Sequence, residues 1–251
     1  MNPTEKHDGT QHVLYDADQL SDIKPMMFDP VALQQAGLVH GSAEGRGTTH
    51  FIELDGKPCV LRHYRRGGLA RLLGDCYLRR TLPQTRAWRE WHLLANLSVQ
   101  GLPVPRPVAA QVVTHGLFYR ADLVMQRLEG TCSLSQALKG DSALPREQWK
   151  AIGQCIRRFH AAGVYHADLN AHNILLGAEE RVWLIDFDRG EIRPLAKDWQ
   201  QANLARLRRS LDKLLVLQRA SHQVFHFTNM DWQQLMLGWE TVPISVNEAG
   251  R

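Results

Sequence analysis

The sequence has few of the features that mark a secreted, membrane-spanning or zinc-binding protein. Its cysteines, Cys59, Cys76, Cys132 and Cys155, form no C-x-x-C pair and have no histidines at zinc spacing. Free thiols in a reducing cytosol are the simplest interpretation. The first twenty residues have no basic segment leading into an apolar stretch, and no window approaches the roughly 20 apolar residues of a spanning helix. We therefore expect a protein that stays inside the cell.

Acidic residues are scarce in two segments, although the net charge of the 251 residues is only +4. In the first, Asp75 is the single acid among Arg62, Arg65, Arg66, Arg71, Arg79 and Arg80. In the second, Asp212 is the single acid among Arg206, Arg208, Arg209, Lys213 and Arg219. Such clusters favour phosphate, carboxylate or an anionic membrane surface as a partner.

Three polar residues between positions 160 and 190 have the spacing of a phosphoryl-transfer site. Asp168 follows His166 by two residues, and Asn173 follows Asp168 by five. An apolar run then ends on Asp186. Transfer from ATP needs a carboxylate at the acceptor hydroxyl and hard oxygen ligands for Mg²⁺. We predict Asp168 for the first task and Asn173 with Asp186 for the second. Each alone is also a common turn residue, but together they resemble the H-x-D-L-x-x-x-N and D-F-G elements of protein-kinase-like enzymes.

Two elements of regulated protein kinases are missing. Asp188 replaces the glycine of D-F-G, and no A-P-E segment or long activation loop precedes the next helix, which we predict from Asp198 to Gln218. Asp188 would either restrain the backbone or add a second carboxylate facing the metal. The absences favour small-molecule or lipid-saccharide kinases of the same fold. The predicted helix has a leucine stripe typical of a core and a basic face that would suit anionic lipid.

The first half of the chain contains a glycine-bearing turn, a strand and a helix. Gly45 and Gly47 lie in the turn predicted from Val39 to Thr49, where glycines would let backbone amides approach phosphates. Arg62 lies on the strand predicted from Cys59 to Tyr64, with Lys57 as a fallback cation that Pro58 separates from the strand. Glu90 lies on a helix with apolar residues at helical spacing, and it is either the partner of Arg62 or an exposed helix residue.

Several longer segments together closely resemble the Kdo (3-deoxy-D-manno-octulosonic acid) kinases of Gram-negative lipopolysaccharide assembly. They are VLRHYRRGGLARLLGDCYL, TRAWREWHLLANL, GLPVPRPVAA, GLFYRADLVMQRLEG, GVYHADLNAHNILL and LIDFDRGE. The resemblance covers about residues 45–217. It implies an α+β, two-lobed protein-kinase-like fold, with a polar arm over 1–30, a β-rich N-lobe over 31–127 and a larger helical C-lobe over 128–251. We expect the arm to be partly disordered or loosely packed.

The resemblance also implies roles for single residues. Arg62 stands where the kinase pattern has a lysine and would hold nucleotide phosphates with Glu90. The backbone near Gln126 and Leu128 would contact the adenine edge. His166 would brace the catalytic loop. His160, His166 and His172, evenly spaced by six, are expected in structural roles rather than as a zinc site.

The implied reaction is transfer of the ATP γ-phosphate, with Mg²⁺, to the 4-hydroxyl of Kdo on Kdo-lipid IV(A). The implied location is peripheral, on the cytoplasmic face of the inner membrane. Arg65, Arg66 and Arg71 are our predictions for holding the anionic acceptor. No nucleic-acid partner is expected, and the oligomeric state is left open. A heptose kinase of the same pathway, an aminoglycoside or choline-type phosphotransferase and a catalytically silent binding module for acidic glycolipid are the alternatives. Cationic acceptors would favour acidic walls, and an intact Asp168, Asn173 and Asp186 argue against a silent module.

Overall fold

The computed structural model describes residues 1–43, 49–65, 75–78 and 81–241. The chain divides into two compact units. The first contains Met1–Gln100 and Pro105–Leu128, and the second contains Gly101–Val104 and the chain from Glu129 onward. The fold is therefore a mixed one, with a unit dominated by strands followed by a unit dominated by helices.

The first unit is built on an antiparallel sheet whose eight described strands follow the order β1-β2-β7-β8-β5-β4-β3, with β6 paired to β8. The strands are β1 (Pro3–Asp8), β2 (Gln11–Asp16), β3 (Val39–Ala43), β4 (Thr49–Leu54), β5 (Lys57–His63), β6 (Tyr77–Leu78), β7 (Pro107–His115) and β8 (Phe118–Gln126). β8 is central, and Ala121, Leu123 and Val124 within it are fully buried. Such a run suits a strand that is covered on both faces.

The N-terminal segment differs from the loosely packed arm expected for residues 1–30. β1 pairs with β2, and β2 pairs with β7 in the register Val13–Gln111. Leu20 and Phe28 join the core cluster of the sheet, and a 3₁₀ helix (Pro25–Phe28) leads into α1 (Pro30–Gln35). The segment is thus part of the first unit, because its few apolar residues are supplied with partners by distant strands.

The helix α2 (Arg86–Val99) follows a 3₁₀ turn (Leu82–Gln84) and packs on β7 and β8. Trp88, Trp91, Leu94 and Leu97 are all buried, as their helical spacing predicts. Burying these side chains fixes α2 on the sheet, since each large apolar side chain contributes about 1.5–3 kcal/mol. Gly101 follows the helix with φ +70°, a left-handed conformation that glycine adopts without strain.

Two boundaries in the first unit differ from the sequence prediction. Residues 39–43, expected within a glycine-bearing turn, form β3, which pairs with β4 through a register shift between Val39 and Gly41. β5 begins at Lys57, so Pro58 lies inside the strand rather than before it. A proline is tolerated this close to a strand end because few ladder hydrogen bonds are lost there.

The second unit consists of helices and short strands. The helices are α3 (Leu134–Ala137), α4 (Arg146–Ala161), α5 (Lys197–Ala220) and α6 (Asn229–Thr241). The strands are β9 (Cys132–Ser133), β10 (Val164–Tyr165), β11 (Ile174–Leu176), β12 (Val182–Leu184) and β13 (Glu191–Ile192). β11 and β12 form an antiparallel hairpin, and the Leu184 N–H donates to the Pro103 carbonyl, which attaches Gly101–Val104 to this unit.

Helices α4 and α6 approach each other through two glycines. A Cβ added at Gly153 would lie 1.9 Å from the Leu235 carbonyl oxygen, and one added at Gly238 would lie 2.1 Å from the Lys150 carbonyl oxygen. Both distances are far below any van der Waals contact. The two backbones therefore touch because neither position carries a side chain.

In the described part of the chain, no helix is long and apolar enough to cross a membrane. The four cysteines, all of which lie in the described ranges, form no disulfide, and Cys59 and Cys155 are buried. Burial raises the pKa of the Cys59 thiol to about 11 and that of the Cys155 thiol to about 12. These two thiols consequently stay protonated and poorly reactive at neutral pH.

Candidate active site

Four hydrogen bonds close a ring around the segment that follows α4. The His166 Nε2–H donates to the Ile185 carbonyl at 2.9 Å, and the Ile185 N–H donates to the Asn173 carbonyl at 3.0 Å. The Asn173 side-chain amide donates to the Asp168 carbonyl at 2.9 Å, and the Asp168 N–H donates to His166 Nδ1 at 3.2 Å. The ring thereby joins the loop that bears Asp168 to the strand end that precedes Asp186.

The ring fixes the state of His166. A backbone N–H can only donate and a carbonyl can only accept, so Nδ1 is bare and Nε2 carries the proton. Burial lowers the pKa of His166, which keeps the imidazole neutral, as the ring requires. His166 thus braces the loop through hydrogen bonds at both ring nitrogens, as predicted.

Side chains of the helix α5 also form hydrogen bonds with the loop that bears Asp168. The Asn203 side chain is 1% exposed and makes two hydrogen bonds to the backbone of His166, accepting from its N–H at 3.2 Å and donating to its carbonyl at 3.1 Å. The Ser210 hydroxyl accepts from the Ala171 N–H at 3.3 Å. The buried polar backbone of the loop is therefore satisfied by side chains of α5.

Asp168 lies next to a basic residue of α5. Arg206 Nη1 is 3.5 Å from Asp168 Oδ1, and both side chains are nearly half exposed. An ion pair this exposed contributes at most about 1 kcal/mol to stability. Its consequence is local, because it places a permanent positive charge beside the carboxylate that we predict to meet the acceptor.

Asn173 and Asp186 supply oxygen ligands of the kind that Mg²⁺ prefers. The Asn173 amide nitrogen donates to the Asp168 carbonyl, and Asp186 follows directly after Ile185 of the ring. Mg²⁺ is commonly bound by one or two protein oxygens with substrate phosphates and water completing the shell. The donor chemistry of the two side chains is the kind that suits such an ion. The described residues contain no cluster of three or more His, Cys, Asp or Glu arranged to hold a metal.

The backbone at Asp186 is unusual. Its φ is +62°, a left-handed conformation that costs a non-glycine residue about 1–3 kcal/mol. The following Phe187 is 1% exposed and packs against His166 and Phe159, with ring centroids 4.7 and 5.6 Å apart. Burial of the Phe187 ring offsets this backbone cost.

The first unit contains a buried charge pair. Arg62 on β5 and Glu90 on α2 form an ion pair, with side chains 16% and 1% exposed. The Tyr64 hydroxyl donates to the same carboxylate at 2.5 Å, and burial with the neighbouring negative charge raises the pKa of Tyr64 well above its usual value. The structure thus brings Arg62 and Glu90 together, and Glu90 is not an exposed helix residue.

The fallback cation and the predicted adenine contacts have partners of their own. The Lys57 ammonium donates to the Gln19 carbonyl at 2.9 Å, which ties it to the N-terminal segment. The Gln126 N–H donates to the Arg106 carbonyl at 2.8 Å, so that amide is already engaged. Leu128 is half-buried at the end of the first unit.

Some predicted site residues lie outside the described residues: Gly45, Gly47, Arg66 and Arg71. Arg65 is described and exposed, directly after Tyr64. It lines a cavity of about 480 Å³ in the first unit that also contains His63, Asp75 and Asp122. His63 lies between the two acids, 2.6 Å from Asp122 and 3.0 Å from Asp75, and their hydrogen bonds and charges raise its pKa.

The other two evenly spaced histidines have structural partners. His160 is 1% exposed and its Nδ1 accepts from the Trp239 indole N–H at 3.0 Å. Burial lowers its pKa to about 4, so it is neutral. His172 Nδ1 lies 2.8 Å from the Ser135 hydroxyl.

Three residues of the site escaped sequence reasoning: Tyr64, Asn203 and Arg206. Tyr64 ends the strand predicted from Cys59, and nothing in its local sequence indicates a contact with Glu90. Asn203 stands beside the leucine stripe of α5, where a lone polar residue carries no local signal. Arg206 belongs to a basic cluster of the sequence. It lies 38 residues from Asp168 in the chain, so no local pattern indicates their contact.

The two units define a class of protein. One is a strand-rich unit with a buried Arg–Glu pair between a strand and a helix, and the other is a helical unit with Asp168, Asn173 and Asp186 on one hydrogen-bonded loop and hairpin. A protein-kinase-like phosphotransferase has these features.

Comparisons with known proteins narrow the class. A family model described as the lipopolysaccharide kinase (Kdo/WaaP) family matches residues 31–239. A relative from Photobacterium profundum is 42% identical over 231 residues, which cover 92% of this chain and 95% of its own. One from Vibrio vulnificus is 42% identical over 93% of this chain and 96% of its own, and one from Xylella fastidiosa is 44% identical over 80% of each. All three are named 3-deoxy-D-manno-octulosonic acid kinase. The chain belongs to the lipopolysaccharide kinase (Kdo/WaaP) family.

Proposed function

We propose that the protein transfers the γ-phosphate of ATP to the 4-hydroxyl of Kdo on Kdo-lipid IV(A), in lipopolysaccharide inner-core biosynthesis. The observation that carries this proposal is the hydrogen-bonded ring of His166, Ile185, Asn173 and Asp168, which joins the predicted base to the predicted metal ligands. Kdo as acceptor is supported by relatives of that name that match over nearly their whole length.

Asp168 orients the acceptor hydroxyl and accepts its proton as the oxygen bonds to the transferred phosphorus and ADP leaves. The carboxylate is nearly half exposed, so a bulky glycolipid can reach it. Arg206 keeps a positive charge near the carboxylate while negative charge develops on the acceptor oxygen.

Asn173 and Asp186 would hold Mg²⁺ through their side-chain oxygens. When bound, the ion would supply neutralisation of the phosphate charge. The protein's contribution is rigidity, since the ring fixes Asn173 and the buried Phe187 fixes the backbone that carries Asp186.

Arg62, held by Glu90, neutralises phosphate charge on the nucleotide. Its guanidinium is always protonated and presents several donors, so it can take the part of the lysine in the kinase pattern. Gly45 and Gly47 would cover the phosphates, and the backbone near Gln126 and Leu128 would contact the adenine.

Arg65, Arg66 and Arg71 would bind the carboxylate and phosphates of the acceptor. Because that acceptor is a lipid, the enzyme would work peripherally at the cytoplasmic face of the inner membrane. Basic residues on the exposed side of α5 support this location.

The test is mass spectrometry of Kdo-lipid IV(A) after incubation with the protein, ATP and Mg²⁺. We expect a product heavier by one phosphate group, and fragmentation should place that group on Kdo. Asp168→Ala is the matched control and should form product at least about 10²-fold more slowly.

A heptosylated core acceptor, offered in parallel, separates the nearest rival. Phosphate on heptose but none on Kdo would replace the proposal with a heptose kinase. Binding of the glycolipid without transfer to either acceptor would make the protein a silent binding module.

A further inference from the structure

One face of α5 is exposed to solvent. It carries basic residues near the middle of the helix and apolar residues closer to the C-terminal end. We call the residues Arg206, Arg209, Lys213, Val216 and Leu217 the α5 stripe. Their spacing places them on a single face of the helix, opposite the buried Leu204, Leu207 and Leu211. All five are exposed, and for Val216 and Leu217 the exposed fractions reach 66% and 49%.

The charge of the α5 stripe is uncompensated at two of its three cations. Within the described chain, Arg206 has Asp168 at 3.5 Å, whereas Arg209 and Lys213 have no carboxylate within ion-pair distance. The nearby acid, Asp212, binds Arg208 through both carboxylate oxygens at 2.9 Å. The stripe therefore presents net positive charge to solvent, and two such faces on separate copies would repel each other.

The α5 stripe starts at the proposed active site. Arg206 contacts Asp168, and Leu217 lies eleven residues further along the helix, about 16 Å away. The exposed apolar side chains at that far end have no function in the core. Cations with adjacent exposed aliphatic side chains on one helix face are the pattern of an interfacial contact with anionic lipid.

We propose that the α5 stripe is the surface by which the protein docks on an anionic phospholipid bilayer. Arg209 and Lys213 contact lipid phosphates, and Val216 and Leu217 enter the headgroup boundary. The proposal builds on the proposed function, because a surface bound beside Asp168 delivers a lipid-anchored sugar to that carboxylate. It adds which face of the protein meets the membrane.

The first test measures binding of the whole protein to vesicles by co-sedimentation, without ATP or acceptor. Vesicles of equimolar phosphatidylglycerol and phosphatidylcholine should bind it, pure phosphatidylcholine vesicles should bind it far less, and added salt should weaken binding. Each cation at an anionic surface is worth about a fivefold change in partitioning, so Arg209→Gln with Lys213→Gln should lower it about 25-fold. Val216→Gln with Leu217→Gln should also lower it.

Arg146→Gln with Arg181→Gln is the matched control, since it removes the same charge from exposed residues of the second unit that are not on α5. It should keep most of the binding. Equal loss in the control would mean that net charge alone attracts the protein, and wild-type binding by the Arg209/Lys213 variant would mean that another face docks. If the wild type is a dimer in solution and the Arg209/Lys213 variant is a monomer, the α5 stripe would bind a second copy of the chain instead of lipid. Each of these three results overturns the proposal.

Activity separates this proposal from the proposed function. On a deacylated, water-soluble Kdo acceptor, the Arg209/Lys213 variant should match the wild type, while on acceptor embedded in anionic vesicles it should be slower. Equal slowing on both acceptors would overturn the docking role. If the wild type phosphorylates neither acceptor, the proposed function fails, and vesicle binding still decides the docking surface.

Discussion

The Arg62–Glu90 pair gives the sharpest prediction, because it is both buried and charged. Glu90→Gln keeps the size of the side chain and an acceptor for the Tyr64 hydroxyl but removes the charge. Arg62 then remains as a positive charge with its side chain only 16% exposed. Removing one partner of a buried ion pair costs about 3–5 kcal/mol, and the partial exposure of Arg62 places the expected loss at about 3 kcal/mol.

The converse change is Arg62→Met, which leaves the Glu90 carboxylate 1% exposed with the Tyr64 hydroxyl as a donor. We expect a loss of about 3 kcal/mol or more in the free energy of unfolding. The double variant has no stranded charge, so it should lose at least about 2 kcal/mol less than the sum of the single variants.

Urea unfolding followed by tryptophan fluorescence measures the three free energies, since Trp88 and Trp91 lie on the same helix as Glu90. Additive losses, with a coupling below about 0.5 kcal/mol, would refute the reasoning. Titration calorimetry with ATP tests the functional half. Arg62→Met should weaken binding and Lys57→Met should not, because the Lys57 ammonium is bound to the Gln19 carbonyl. The opposite pattern would move the nucleotide role to Lys57.

Four further predictions concern the second unit. Asp168→Ala should lower transfer by about 10²-fold or more with ATP affinity retained, and equal activity would refute its role as base. Arg206→Gln should lower kcat while the free energy of unfolding changes by less than about 1 kcal/mol, and an unchanged kcat would remove Arg206 from the mechanism. Asn203→Leu should cost about 2 kcal/mol of stability in urea unfolding, because it strands two buried backbone groups of His166. The folded state keeps His160 neutral, with a pKa of about 4 against its usual 6.5. This shift contributes about 3 kcal/mol to the free energy of unfolding, and the contribution is complete above about pH 6.5 and is lost as the pH falls toward 4. Urea unfolding at several pH values should show this loss in the wild type and a smaller one in His160→Gln.

Local signals predicted the parts of the structure that depend on neighbours in the sequence. The apolar spacing of Trp88, Trp91 and Leu94 defines α2, and the leucines of α5 define a helix that begins at Lys197. The β11–β12 hairpin follows from two short apolar runs and a polar turn. In these cases one face must be buried, and periodicity reveals which face that is.

Features that depend on contacts between distant segments of the chain could not be predicted from local sequence patterns. β2 contains only a short apolar stretch, and its place in the sheet is set by β7, almost a hundred residues away in the chain. Arg206 contacts Asp168 because α5 packs against the loop that bears Asp168, and no local sequence pattern predicts this packing. Gly45, Gly47, Arg66 and Arg71 stay predictions, since they lie outside the described residues.

The glycines at the crossing of α4 and α6 have a consequence for genetics. Any coding change at Gly153 or Gly238 adds at least a Cβ atom, and each would collide with a carbonyl oxygen of the opposite helix. A random-mutagenesis screen that scores survival alone would therefore rank these two positions beside Asp168, although they perform no chemistry. Scoring the yield of soluble protein in parallel would sort the scaffold positions from the reactive one.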